Sequence, residues 1–180
     1  MTAMIPAWVN GKMQPVEKLY VHLKGLKHKA ISVFMVCGQD ILIQRRALEK
    51  YHTPGLWANT CCTHPNWEES AKNCAIRRMR EELGLKNTLP VYRDTIEYRA
   101  DVGGGLIEHE VVDLFLIHVE QKPNLDINPA EVMDVQWIAF NALQTEVLLS
   151  PEKFTPWLRI YIKDHAKKIF SPDLLCSSAA

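Results

Sequence analysis

The sequence has little that would take it outside the ordinary globular class. No apolar run approaches the roughly 20 residues that a membrane-spanning helix needs, and Met1–Gly11 holds no apolar signal-peptide core. Neither sign of charge is in excess, since 21 lysines and arginines balance 21 aspartates and glutamates. No whole-molecule field therefore favours nucleic acid or an anionic membrane as a partner. Repeats and low-complexity tracts are absent. A disulfide framework is also lacking: the cysteines number five, and Cys61 and Cys62 are adjacent. Such usage suits a reducing compartment and thiols with a packing, metal-binding or reactive role. The expectation is a cytoplasmic chain, a monomer or weak homodimer, whose partner is a small molecule.

What is present is a foldable composition, 47% apolar and 23% charged. A chain of 180 residues fits one domain, here 1–180, with a short flexible tail at Cys176–Ala180. Ala30–Cys37 and Asp40–Arg46, joined by Gly38-Gln39, read as a hairpin, and Trp57–Cys62 as a short strand. Val91–Ala100 and Glu108–Val119 flank Gly103-Gly104-Gly105 as a longer hairpin, and Val132–Ile138 is a further strand. Helical spacing marks Glu69–Leu83, with Gly84 as its C-cap, and then Phe140–Leu148 and Phe154–Ile169. Strands outnumber helices without regular alternation, which predicts an α+β fold, an αβα sandwich around a mixed sheet.

The helix over Glu69–Leu83 carries charge on its inner side. At about 100° per residue, Ala71, Ala75 and Met79 define the buried arc, Glu82 falls within it and Arg78 lies at its edge. A buried carboxylate needs a partner or a metal. An i,i+4 ion pair at the core margin would satisfy it, and so would coordination of a cation. Just upstream, Cys62-Thr63-His64 sets an imidazole beside a thiol. Glu108-His109-Glu110 opens a strand whose period of two puts both glutamates on one face and His109 on the other. Adjacent carboxylates repel unless a cation or a shared proton lies between them; a solvated strand start is the plain alternative.

Glu69, then seven residues, then Arg77-Arg78-Met79-Arg80-Glu81-Glu82-Leu83-Gly84-Leu85 resembles the Nudix box, G-x5-E-x7-R-E-U-x-E-E-x-G-U. Thr63 stands at the first glycine, and Arg78 replaces the glutamate that supports metal-assisted hydrolysis. The wider set is H-x5-H from His22 to His28, R-R-A at Arg45, W-x-N-x-x-C-x-H-P from Trp57, Y-R-A at Tyr98, E-x-E at Glu108 and E-V-x-D-x-x-W at Glu131. In that order the set is similar to type I isopentenyl-diphosphate isomerases, which are Nudix-fold enzymes, from about Lys18 to Trp157.

The resemblance implies a Nudix-type αβα sandwich and a shift of a carbon–carbon double bond in isopentenyl diphosphate, giving dimethylallyl diphosphate for isoprenoid biosynthesis. It implies one divalent ion, Mn²⁺, Zn²⁺ or Mg²⁺, on His22, His28, His64, Glu108 and Glu110. A second ion, Mg²⁺, would arrive with the substrate at Glu82 and the Cys62 carbonyl. Lys18, Arg46, Lys50 and Arg78 would clamp the diphosphate, and Cys62, Glu110, Tyr98 and Trp157 would carry the chemistry. His52, His109, His118 and His165 receive no role. Two rival readings are a Nudix diphosphate hydrolase and a zinc-stabilised binding domain. Arg78 speaks against the first, and the scattered ligands with three unexplained glutamates against the second.

Overall fold

The computed structural model describes residues 3–175; the expected tail at 176–180 lies outside them. Nine strands form one mixed sheet: β1 (Met4–Val9), β2 (Lys12–Glu17), β3 (Lys27–Cys37), β4 (Asp40–Arg46), β5 (Trp57–Asn59), β6 (Cys61–Thr63), β7 (Val91–Gly103), β8 (Leu106–His118) and β9 (Val132–Ala139). The helices are α1 (Lys18–Lys24), α2 (Ala71–Leu83), α3 (Phe140–Leu149), α4 (Pro156–Asp164), α5 (Ala166–Ile169) and α6 (Pro172–Leu175). Among the described residues no helix is long and apolar enough to cross a membrane.

The β3–β4 hairpin fits the sequence reading residue for residue at β4. Two expectations need correction, and one segment was left unassigned. The strand at Trp57–Cys62 is two strands, because β5 pairs with β4 while β6 crosses to β3. The last helix is broken at His165, where the backbone leaves helical geometry. The segment before β3 is a hairpin and a helix. Its signal was present as Asn10-Gly11, both at positive φ (51° and 76°), the residue pair a tight hairpin turn favours.

A core lies on each face of the sheet. On one face Ala30, Phe34, Val112, Leu114 and Tyr98 pack against Trp157, Leu158 and Tyr161 of α4. On the other, Ile31, Val33, Met35 and Phe115 pack against Cys74, Ala75, Met79 and Leu83 of α2. Ser70 caps α2 by accepting from the Asn73 amide at 3.2 Å, a contact of about 1 kcal/mol. Gly84 ends it at φ +69°, where an added Cβ would stand 2.5 Å from Asp126. The Leu83 and Glu82 carbonyls accept from the Asp126 and Asn128 amides, so the end of α2 that bears Glu82 is fixed by a strand-like partner.

The site follows from how β3 and β4 part. They pair only from Met35–Leu42 to Cys37–Asp40. Beyond that, β4 continues between β5 and β9, while β3 continues between β6 and β8. Polar side chains collect where the two halves of the sheet diverge.

Candidate active site and metal centre

Sheet register alone brings most of the candidates to one face. In the pairing, His28 on β3 is opposite Glu110 on β8, Ser32 is opposite Cys62 on β6, and Tyr98 on β7 is opposite Glu110. The period of two then adds His64 and Glu108 to that face. His22 comes from the last turn of α1, which Gly25 ends in the left-handed region at φ 58°. All line or adjoin a cavity of about 170 Å³.

Four of these residues form a set of converging lone pairs. His22 donates Nδ1–H to the Lys18 carbonyl and His28 donates Nδ1–H to the Leu26 carbonyl, each at 2.7 Å. That fixes the tautomers and leaves both Nε2 atoms as acceptors. His28 Nε2 stands 3.2 Å from His64 Nε2, which is 2.9 Å from Glu110 Oε1. His64 Nδ1 is buried without a hydrogen-bond partner. The ligand atoms of His22, His28, His64 and Glu110 lie within 4.8 Å of one another. Burial pushes the His64 imidazole well below its ordinary range and His22 to about 4, so both stay neutral and able to ligate. Imidazole nitrogens facing one another with a carboxylate, and few hydrogens between them, fit a divalent ion of borderline hardness.

The two glutamates are buried, 2% and 1% exposed, which removes the solvated alternative. Tyr98 Oη lies 2.8 Å from Glu108 Oε2 and 2.7 Å from Glu110 Oε2. One phenolic hydrogen serves one of these contacts, so the other needs a carboxyl proton. Burial and the charge on Glu110 push Glu108 well up, while Glu110, against its own burial, is held well down, with His64 in hydrogen-bond reach. The phenol and the two carboxyls therefore share one carboxyl proton. His109 points away and pairs with Glu97 at 2.9 Å.

The cationic residues gather at one wall. Burial, then Lys50, Arg78 and Arg46, push Lys18 down to about 8. Lys50 and Arg78 both pair with Glu131, Arg78 at 3.1 Å. Arg78 also reaches Glu82 Oε1 through Nε at 3.0 Å and Nη2 at 2.6 Å. Glu82, 4% exposed, further accepts from Gln44 Nε2 at 2.9 Å and sits behind Arg78. Arg46 is buried; its Nε and Nη2 donate to the carbonyls of Thr53 and His52, and its guanidinium lies 5.2 Å over the Trp157 ring. Glu69, left open in the sequence, forms a two-armed pair with Arg77 at 2.7 Å and is structural.

Cys62 faces the cavity from β6. Ser32 Oγ lies 3.3 Å from Cys62 Sγ and 2.9 Å from Tyr161 Oη. Burial, followed by the charges of Glu110 and Glu108, pushes the thiol well above its ordinary range. Cys62 and Glu110 thus approach one space from strands on opposite sides of β3, both holding to the same sheet face.

The NUDIX domain matches residues 26–158. The chain is 59% identical to an isopentenyl-diphosphate Delta-isomerase of Ruegeria pomeroyi over 180 residues, covering all of both chains. Against the enzyme of that name from Jannaschia sp. it is 60% identical over 170 residues, 94% of this chain and 97% of the other. The chain belongs to the isopentenyl-diphosphate Delta-isomerase family. Its fold is also that of solved Nudix proteins. A MutT NUDIX hydrolase from Burkholderia pseudomallei superposes with TM-score 0.59 at 20% identity, covering 76% of this chain and 95% of that one. DR0079 from Deinococcus radiodurans gives TM-score 0.70 at 10% identity, covering 88% and 96%.

Within this isomerase fold two residues escaped the sequence reading. Glu131 belongs to the E-V-x-D-x-x-W string, yet nothing in the string shows that it would pair with two clamp cations. His52 was given no role, and the sequence did not show where it would lie. Its ring is buried, stacks on His22 at 5.7 Å and meets Trp157 edge-on at 5.8 Å. Its Nε2 lies 3.7 Å from Glu108 Oε1. The following residue, Thr53, holds φ +46°, a costly conformation for a β-branched side chain, on the order of 1–3 kcal/mol. Nothing in the sequence announced that outlier.

Proposed function

We propose that this chain carries out its family's reaction through Cys62 and Glu110, converting isopentenyl diphosphate reversibly to dimethylallyl diphosphate. The observation that carries this reading is the placement of a thiol and a carboxylate on two strands flanking β3, facing one cavity beside four cations.

The reaction adds a proton to the terminal carbon of an unactivated alkene, forms a tertiary carbocation-like centre on the other alkene carbon, and removes a proton from the methylene on that centre's far side. It needs an acid and a base on separate sides of a flat hydrocarbon, with water kept out. Cys62 and Glu110 supply that pair, and they exchange roles between the two directions. Tyr98 bridges Glu108 and Glu110 and can pass the shared proton between them. Ser32 orients the Cys62 sulfur. Trp157 lends a π face to the cation, worth about 2 kcal/mol when desolvated. Arg46 stands over one side of the indole.

A divalent ion held by His22, His28, His64, Glu108 and Glu110 would lower the proton affinity of the carboxylates. Lys18, Arg46, Lys50 and Arg78 fix the diphosphate; the planar fork of Arg78 suits paired phosphate oxygens. Mg²⁺ entering with the diphosphate would draw Glu82 from Arg78, with the Cys62 carbonyl close by. Because Arg78 occupies the position of the hydrolase glutamate, the bound diphosphate is gripped and not cleaved.

The test is one incubation. Purified protein with Mg²⁺ and Mn²⁺ receives isopentenyl diphosphate, and allylic product and released phosphate are followed together. Allylic product without phosphate is expected. Phosphate without allylic product would sink the isomerase reading and leave a hydrolase.

A further inference from the structure

Two hydroxyls and a thiol stand in a row from the core to the cavity. Tyr161 Oη of α4 lies 2.9 Å from Ser32 Oγ of β3, which lies 3.3 Å from Cys62 Sγ of β6. Ser32 and Tyr161 are both fully buried. Among the described residues, Tyr161 Oη and Cys62 Sγ each make only the hydrogen bond with Ser32. Three hydrogens, one on each group, thus serve two contacts, and one hydrogen is left over.

Which one is left over follows from cost. If Tyr161 donates to Ser32 and Ser32 donates to Cys62, the spare hydrogen is that of the thiol. Every other arrangement that keeps both contacts strands a buried hydroxyl hydrogen, on either the phenol or the serine. A thiol is the weakest donor of the three, and an unpaired buried hydroxyl is the costlier loss. Cys62 is also the one member of the row that lines the cavity. The chain of donation therefore runs outward, and the thiol hydrogen faces the cavity.

The geometry points to Ser32 as a further catalytic residue, the donor that holds the electron pair left on the Cys62 sulfur, with Tyr161 behind it as its positioning residue. The inference rests on the reading that Cys62 transfers a proton. When Cys62 is the acid, its S–H bond breaks and the alkene π pair forms the new C–H bond at the terminal carbon. The S–H pair stays on sulfur, where the Ser32 hydrogen already points, and Glu110 takes a proton from the far methylene. The bond from Ser32 becomes charge-assisted as the sulfur turns negative, so it strengthens along the reaction. Tyr161 polarises Ser32 from behind. Its ring is held edge-on by Phe34 at 5.8 Å and Tyr98 at 5.9 Å, which keeps Oη on the serine. Tyr161 lies one turn of α4 beyond Trp157, outside the strings that carry the family resemblance.

Infrared spectra and a double-mutant cycle on the whole chain test this. The Cys62 S–H stretching band, isolated by subtracting the spectrum of Cys62→Ala, is expected at the high frequency of a thiol that donates no hydrogen bond. Ser32→Ala should lower kcat about tenfold to a hundredfold, the scale of a hydrogen bond to a charged group. KM should barely move, because the sulfur is neutral in the ground state. Tyr161→Phe keeps the ring and should lower kcat about twofold to fourfold. In the Ser32→Ala background the same change should cost nothing, since the link to sulfur is already cut. Ser32→Ala alone strands the buried phenol, whereas the double variant removes both partners; circular dichroism shows which fold, and either one reports on Ser32. An S–H band at the low frequency of a donating thiol would overturn the assignment, as would an unchanged kcat without Ser32. An equal cost of Tyr161→Phe with and without Ser32 would reduce Tyr161 to packing and overturn its part. Near-normal turnover by Cys62→Ala would instead defeat the underlying reading of Cys62, and the band would still decide the direction of the chain.

Discussion

One wall of the cavity gathers imidazoles and carboxylates whose lone pairs face one another, and the other gathers lysines and arginines, of which Lys50 and Arg78 are already answered by carboxylates of the same chain. On the first wall His28 Nε2 and His64 Nε2 stand 3.2 Å apart with Glu110 beside them. On the second, Arg78 is bound by Glu81, Glu82 and Glu131, and Lys50 by Glu131. The first region sets acceptor lone pairs against a buried carboxylate. The second carries its own anions, which a diphosphate lying there would have to displace. Charge burial is thus handled in two ways within one cavity: by neutral, preoriented ligands in one region and by replaceable ion pairs in the other.

The largest expected effect comes from the residues between the two walls. Cys62→Ala and Glu110→Gln should each lower kcat by about 10²–10⁴, the range for a lost proton-transfer group, with unchanged circular dichroism. A near-normal rate in Cys62→Ala would remove it from the reaction. Next is loss of the ion. Chelation should inactivate the protein and lower its melting temperature, with a linkage of about 2.7 kcal/mol when free metal is a hundred times Kd. A melting curve indifferent to chelator would contradict the preoriented-ligand account of the first wall.

The second wall should respond to pH and to removal of its anions. Lys18 has its pKa lowered to about 8 from 10.5, so its charge opposes folding fully below about 8. That cost fades as pH rises from there to 10.5. A bound diphosphate raises the same pKa, so affinity should be full below about 8 and fall as pH passes through it. Lys18→Met should bind more weakly and flatten that limb of the KM profile; an unchanged profile would mean another group titrates. The smallest effect is expected from Glu131→Gln, which frees Lys50 and Arg78. KM should fall roughly twofold to fivefold, the scale of a partly exposed ion pair. A higher KM would show that Glu131 holds the cations in place.

The share of the site legible in sequence follows from the range of the interactions. Glu82 was recognisable as a buried carboxylate because helical period fixes which residues share an arc. The common face of Glu108 and Glu110, opposite His109, followed in the same way from the strand period. The Nudix string and its departure at Arg78 were local too. Pairings such as Glu110 with His64, or Cys62 with Ser32, depend on strand order and register, which no local period encodes. His52 is the clearest case. In sequence it is one histidine in a turn before Pro54-Gly55, and only the fold sets it against His22 and Trp157. The sequence by itself determined the element types, the charged helix face and the family. The tertiary structure decided which lone pairs converge and which cations Glu131 answers, because contacts such as His64 with Glu110 and Lys50 with Glu131 join residues 46 and 81 positions apart.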